Sequence, residues 1–305
     1  MQQDNDTPTL PEFAPHDPDV VLAPGLFRSL PHRKDARKNR LEVNYVAGER
    51  RVTFKSPDLL GAEDMRVLQG LMAVAMGWER EDWLKIDEPR EAVGEQLALR
   101  FDAQADMYNR IALKVRGSFA AVARAVGIDP TTGGAVDRIR ESIERLSGLT
   151  VIAEDRRGGG SCHFLSSIWG DRAERAGAPG GLLVALNPRL ADMALYGRDG
   201  GGKFIRIALS EVRALKSGAA RLIHQRLCGW IDAGKSGRVG IDTLCSYVWP
   251  DEAGRAATRR QRRYRARRAL RELEAFERPW TVTEYAPGKL EIGRPARLEV
   301  EVRDA

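Results

Sequence analysis

The spacing of apolar positions changes several times between residues 111 and 165. Ile111 to Val115 read as extended chain. Phe119 to Val126 then repeat at helical spacing, with Ser118 placed as the N-cap and Gly127 as the stop. Val136, Ile139, Ile143 and Leu146 make the apolar stripe of a second helix, opened by Gly133 and Gly134 and closed by Gly148. Leu149 to Ala153 predict a strand, Asp155 to Gly160 a glycine turn and Cys162 to Leu165 a returning strand. The unit is helix, turn, helix, hairpin.

The same order recurs downstream. Ile241 to Val248 predict a short helix capped by Asp242 or Thr243. After a break at Pro250 to Gly254 comes a long helix from Ala256 to Phe276, then strands at Trp280 to Tyr285 and Leu290 to Ile292 around a turn at Ala286 to Lys289. Helix-turn-helix followed by a β-hairpin describes a winged helix, and two copies argue for two DNA-reading modules at a fixed spacing. The fold class expected is therefore α+β, with two winged-helix domains in tandem at 41–200 and 201–298.

Elsewhere the pattern is simpler. Leu41 to Tyr45 and Arg51 to Phe54 alternate around a turn and predict a hairpin, and Met65, Leu68, Leu71, Met72 and Ala75 mark a core-facing helix. Residues 78–108 are charged and ambiguous. Residues 1–40 are polar, Pro-containing and aperiodic, which predicts a mostly disordered tail with one short ordered patch at Ala23 to Phe27. A second tail is expected at 299–305.

One motif competes with this reading. Gly229 to Ser236, GWIDAGKS, fits G-x-x-x-x-G-K-[ST], the phosphate loop of nucleotide-binding enzymes. That loop needs a strand before it and a helix opening at Lys-Ser. Here Leu222, Ile223, Arg226 and Leu227 give helical periodicity before Gly229, and Gly237 to Ile241 read as turn and extended chain. The expectation is a helix end and a glycine turn, not an ATP site.

Residues 255–268 read RAATRRQRRYRARR, in which eight of fourteen residues are Arg and none is acidic. On a helix turning about 100° per residue, Ala266, Leu270 and Leu273 fall in one sector with Ala269 and Phe276 at its edge. Arg260, Tyr264, Arg267, Arg268 and Arg271 fall opposite, and Arg259, Arg262 and Arg263 precede the apolar stripe. Like charges at helical spacing repel one another, and a polyanion removes that penalty. DNA is favoured over RNA or an acidic protein because the helix sits where a winged helix puts its reader. The candidate contacts are Arg255, Arg259, Arg260, Arg262, Arg263, Tyr264, Arg267, Arg268 and Arg271, with Lys289 on the hairpin. In the first unit they are Arg138 and Arg145 on the helix and Arg156 and Arg157 on the turn. There Glu141 and Glu144 oppose binding, so that module either binds DNA weakly, serves in homodimerisation, or presents an ordinary surface helix.

Charge supports this division. The net charge of +6 splits into +9 for residues 203–305 and −3 for residues 1–202. No apolar run approaches the roughly 20 residues that span a bilayer, the N-terminus is no secretory signal, and three cysteines without framework spacing suit a reducing cytoplasm. His224, Cys228 and Cys245 do not complete a zinc set, and Cys162 and His163 point to opposite faces of a strand, so no cofactor, metal or catalytic group is expected.

The chain resembles the iteron-binding replication initiators (protein C) of IncQ-type plasmids. The likeness is strongest at ARLIHQRLCGWIDAGKSGRVGIDTLCSYVWP and WTVTEYAPGK. It recurs at LAPGLFRSL, LGAEDMRVLQGL, VRGSFAAVARAVG, GGAVDRIRESIERL and LLVALNP. The resemblance implies a non-enzymatic protein that binds direct repeats at a plasmid origin, opens the adjacent AT-rich duplex and recruits the plasmid helicase and primase. It also implies two winged helices. A transcriptional regulator built from the same two modules is the alternative.

Overall fold

A computed structural model describes residues 11–31, 37–77, 83–85, 111–156, 158–175, 180–199, 203–251 and 254–297. The first unit is a mixed α/β body. Its elements begin with β1 (Phe13–His16), α1 (Pro18–Leu22), β2 (Phe27–Arg28), β3 (Leu41–Ala47), β4 (Arg50–Ser56), β5 (Leu60–Gly61), α2 (Ala62–Met76), β6 (Trp83–Lys85) and β7 (Ile111–Ser118). They continue with α3 (Phe119–Ala125), α4 (Ala135–Ser147), β8 (Thr150–Asp155), β9 (Gly158–His163), β10 (Leu165–Trp169), α5 (Asp171–Arg175), β11 (Gly181–Leu186) and α6 (Pro188–Asp199). This unit contains two four-stranded antiparallel sheets, β3-β4-β8-β9 and β10-β11-β7-β6.

The second unit starts with β12 (Ile205–Ala208), α7 (Leu209–Ala214) and α8 (Gly218–Trp230). It then runs through β13 (Ser236–Gly240), α9 (Ile241–Val248), α10 (Ala256–Glu274), β14 (Thr281–Ala286) and β15 (Lys289–Gly293). Its three-stranded sheet has the order β13-β15-β14. Both expected helix–turn–helix–hairpin sequences are present, α3-α4-β8-β9 and α9-α10-β14-β15.

Local rules explain most boundaries. Ser118 Oγ accepts from Ala121 N and starts α3, which ends before Gly127 at φ +71°. Gly70 lets α2 and α3 cross closely, since a Cβ there would meet the Val122 carbonyl at 2.9 Å. Three expectations differ in detail. Val136 is exposed and leaves Ile139, Ile143 and Leu146 as the buried stripe of α4. The residue capping α9 is Gly240, so Asp242 stands in the first turn with its carboxylate free for another partner. The long helix α10 ends at Glu274, short of the expected Phe276, which is half-buried just beyond it.

The main correction concerns residues 11–31, expected to be ordered only at Ala23 to Phe27 within a disordered tail. They form β1, α1 and β2, and Val20, Val21, Leu26 and Phe27 are buried in the core. β1 pairs with β12, 189 to 195 positions away. Ser29 N donates to Val248 O and Arg226 to the Leu22 carbonyl. The segment therefore joins both units, which share one hydrophobic core. Residues 1–10, 298–305 and most of 78–108 lie outside the described residues.

Candidate nucleic-acid interface

The basic helix α10 is anchored at its C-terminal half and open at its N-terminal half. Ala266, Ala269, Leu270 and Leu273 are buried against α8. Trp280, at 1 % exposure, closes the end of this core and donates Nε1–H to Glu211 at 3.1 Å. Four buried side chains on one side of the last two turns fix the helix direction. The residues before Ala266 project past the core with little apolar contact.

The arginines of this open half are not all free. Arg263 donates Nε–H and Nη2–H to the two Asp242 oxygens at 2.6 and 2.5 Å. Arg267 donates Nη1–H and Nη2–H to Glu284 at 2.6 and 3.0 Å. Hydrogen bonding to Arg263 holds the Asp242 carboxyl below its ordinary value, and hydrogen bonding to Arg267 does the same to Glu284. Arg262 turns back toward the chain, donating to the Asp251 carbonyl at 2.6 Å with its guanidinium 5.9 Å from the Trp249 ring. Arg262, a candidate contact that precedes the apolar stripe, thus clamps the α9–α10 connection.

Arg255, Arg259, Arg260, Arg268 and Arg271 are exposed and form no ion pair among the described residues. Tyr264 stands between them at 64 % exposure. The hairpin β14-β15 lies beside this surface and carries exposed Lys289, which follows Gly288 at φ +70° in the turn. Glu284 Oε1 also accepts from Gly288 N at 2.6 Å, so one carboxylate ties helix to turn.

The first unit presents a different surface. Arg145, expected to reach DNA, is bound at 2.9 Å (Nε) and 2.8 Å (Nη2) to Oδ1 of Asp64, which has no solvent exposure. Ser142 beside it is buried. A buried carboxylate cannot release its cation cheaply, so Arg145 serves the core. Arg138 is exposed, with one long contact to the Gly133 carbonyl. Arg156 pairs with Glu49 at 3.0 Å, both largely exposed, and Arg157 lies outside the described residues. Sequence reasoning placed the basic helix correctly but missed Asp242, Glu284 and Asp64. The signal for the first two was an acid in each element flanking the arginine run.

The GWIDAGKS stretch closes α8 and opens β13, so Lys235 and Ser236 lead into a strand. Gly234 N donates to Arg294 O and Lys235 N to Asp232 O, which occupies backbone donors that a phosphate cradle would need. Glu211, His224 and Cys228 bring a carboxylate, an imidazole and a thiol within 4.8 Å. His224 Nε2 lies 2.6 Å from Glu211 Oε2 and 3.4 Å from Cys228 Sγ, hydrogen-bond contacts that link α7 to α8. No described helix is long and apolar enough to cross a membrane.

The arrangement resembles that of solved structures. Domains 2 and 3 of RctB share the fold at a TM-score of 0.54 and 10 % identity, covering 92 % of this chain and 99 % of that one. A second structure of RctB domains 2-3 gives 0.52 and 12 %, covering 90 % and 95 %. Curated proteins give no sequence match. The chain is thus a mixed α/β protein of the architecture seen in those two RctB domains, with a basic helix at its surface. The model of the replication protein C (RepC) family matches residues 10–296, and the chain belongs to that family. Membership gives it a role in initiating replication of a plasmid or similar replicon, with DNA as its partner.

Proposed function

We propose that this protein is a non-enzymatic, cytoplasmic replication initiator that binds direct repeats at its replicon's origin through a winged helix formed by α9, α10, β14 and β15. The observation that carries the reading is the open end of α10. Arg255, Arg259, Arg260 and Arg268 are exposed there without an ion pair among the described residues, and Arg260 and Arg268 flank exposed Tyr264 on one face of a helix beside a hairpin bearing Lys289. Such a surface suits a helix in the major groove and a wing on the flanking phosphates.

The first unit has the same order of elements but a near-neutral helix face. It assists by shape, by weak contacts through Arg138 and Arg156, or by pairing two copies. Bound copies would strain the adjoining AT-rich duplex and present a surface to the plasmid helicase and primase, as the resemblance to IncQ-type initiators implies.

Footprinting of the full-length protein on the origin tests the reading. Protection of evenly spaced direct repeats beside an AT-rich segment is expected. A single palindrome over a promoter, with no effect on replication, would instead indicate a transcriptional regulator.

A further inference from the structure

The two carboxylates beside α10 grip their arginines by different edges. Asp242 takes Nε–H and Nη2–H of Arg263, a side-on grip. Glu284 takes Nη1–H and Nη2–H of Arg267, an end-on grip. A guanidinium carries five N–H donors in one plane. The side-on grip leaves the outer Nη1–H and Nη2–H as a parallel pair. The end-on grip consumes that pair. Arg263 Nη1 has no partner among the described residues, and the Arg263 side chain is 47 % exposed.

The parallel pair of an arginine matches O6 and N7 of guanine in the major groove. An acid in the most basic part of the chain works against binding a polyanion, so its presence there calls for a compensating role. A carboxylate on the inner edge of Arg263 supplies one in two ways. It orders a long side chain before the encounter, which removes that entropic cost from binding. Its negative charge also disfavours a phosphate at the remaining edge and so favours an uncharged acceptor.

We infer that Arg263 is a guanine-reading residue and that Asp242 is its positioning residue, holding the guanidinium side-on so that its outer edge faces a base. This rests on the DNA-binding reading of α10. Arg267 by contrast is a strap: its outer edge is spent on Glu284, which also holds the wing turn through Gly288 N.

The test measures affinity of the full-length protein for an origin repeat, for repeats in which each guanine is replaced in turn by 7-deazaguanine, and for unrelated duplex. At one guanine the loss of N7 should weaken wild-type binding about tenfold and leave Arg263→Ala unaffected. Asp242→Asn should lose about the same on the repeat while binding unrelated duplex as well as or better than wild type, and Asp242→Glu should recover part of the discrimination. Thermal melts confirm that each variant folds, and the 7-deazaguanine scan of the wild type needs no variant. The inference is overturned if Asp242→Asn binds every sequence more tightly while Arg263→Ala loses affinity uniformly. That pattern would make Arg263 a phosphate contact and leave the DNA reading intact. If neutralising Arg259, Arg260, Arg263 and Arg268 together leaves binding unchanged, the DNA reading of the helix fails, and this assignment with it.

Discussion

Arg145 reaches from α4 to Asp64 in the first turn of α2, with Nε 2.9 Å from a carboxylate that solvent does not touch. Arg37 binds the other oxygen of the same group at 2.6 Å. Stripping a buried carboxylate of every partner costs about 3–5 kcal/mol, but without Arg145 the Asp64 group keeps Arg37 and the Gly61 N–H. Arg145→Ala should therefore lower the unfolding free energy by less than that, about 1.5–3 kcal/mol, in denaturant titrations. The salt dependence of DNA binding by the folded fraction should not change. A weaker salt dependence with unchanged stability would restore Arg145 to the DNA surface.

Two buried histidines give the stability opposite slopes with pH. His16 has both ring nitrogens without a partner, and burial lowers its pKa from 6.5 to about 3. Its folded value lies below the unfolded one, so stability falls as pH drops from 6.5 toward 3. For His224 burial again opposes the charge, but the Cys228 sulfur and the Glu211 carboxylate outweigh it and raise the pKa to about 10. That contribution is complete below 6.5 and lost as pH rises toward 10. Urea unfolding across pH should show His16→Leu flattening the acid limb and His224→Gln flattening the alkaline one.

The Arg267–Glu284 link should open in acid. Hydrogen bonds from Arg267 and from Gly288 N lower the Glu284 pKa from 4.5. The link is whole above 4.5 and is lost as pH falls through the lower folded value. Amide exchange at Gly288, taken relative to its intrinsic rate at each pH, should lose its protection over that window in the wild type. It should be fast at neutral pH in Glu284→Ala, while the core amides of α10 remain protected.

The N-terminal segment should be essential to the fold. Burying a large apolar side chain contributes roughly 1.5–3 kcal/mol, and Val20, Val21, Leu26 and Phe27 are all buried. Their joint loss rivals the roughly 5–15 kcal/mol margin of a typical domain. Deletion of residues 1–29 should yield a chain that aggregates or lacks a cooperative melt. A cooperative melt near the wild-type temperature would show the segment to be dispensable.

What the sequence made legible follows the range of the interactions. Ser118 capping α3, the stripe of Ile139, Ile143 and Leu146, and the Pro287–Gly288 turn are set by residues within a few positions, and all were readable. Residues 11–31 were not, because Pro and Gly interrupt their apolar positions and their partner strand is Ile205–Ala208. The arginine helix was readable from charge and period. The holders of its side chains were not, because helical spacing reports only neighbours on the same helix. Asp242 and Glu284 stand on the elements before and after it.

If the unpaired arginines of α10 lie on DNA, the salt dependence of origin-repeat binding will register each of them. Arg259→Ala, Arg260→Ala and Arg268→Ala should each reduce the slope of log K against log salt by about one unit where they meet phosphate. Any that meets a base edge should instead lose discrimination at that position, by roughly 1–3 kcal/mol. Wild-type affinity, slope and sequence preference in all three variants would contradict the account.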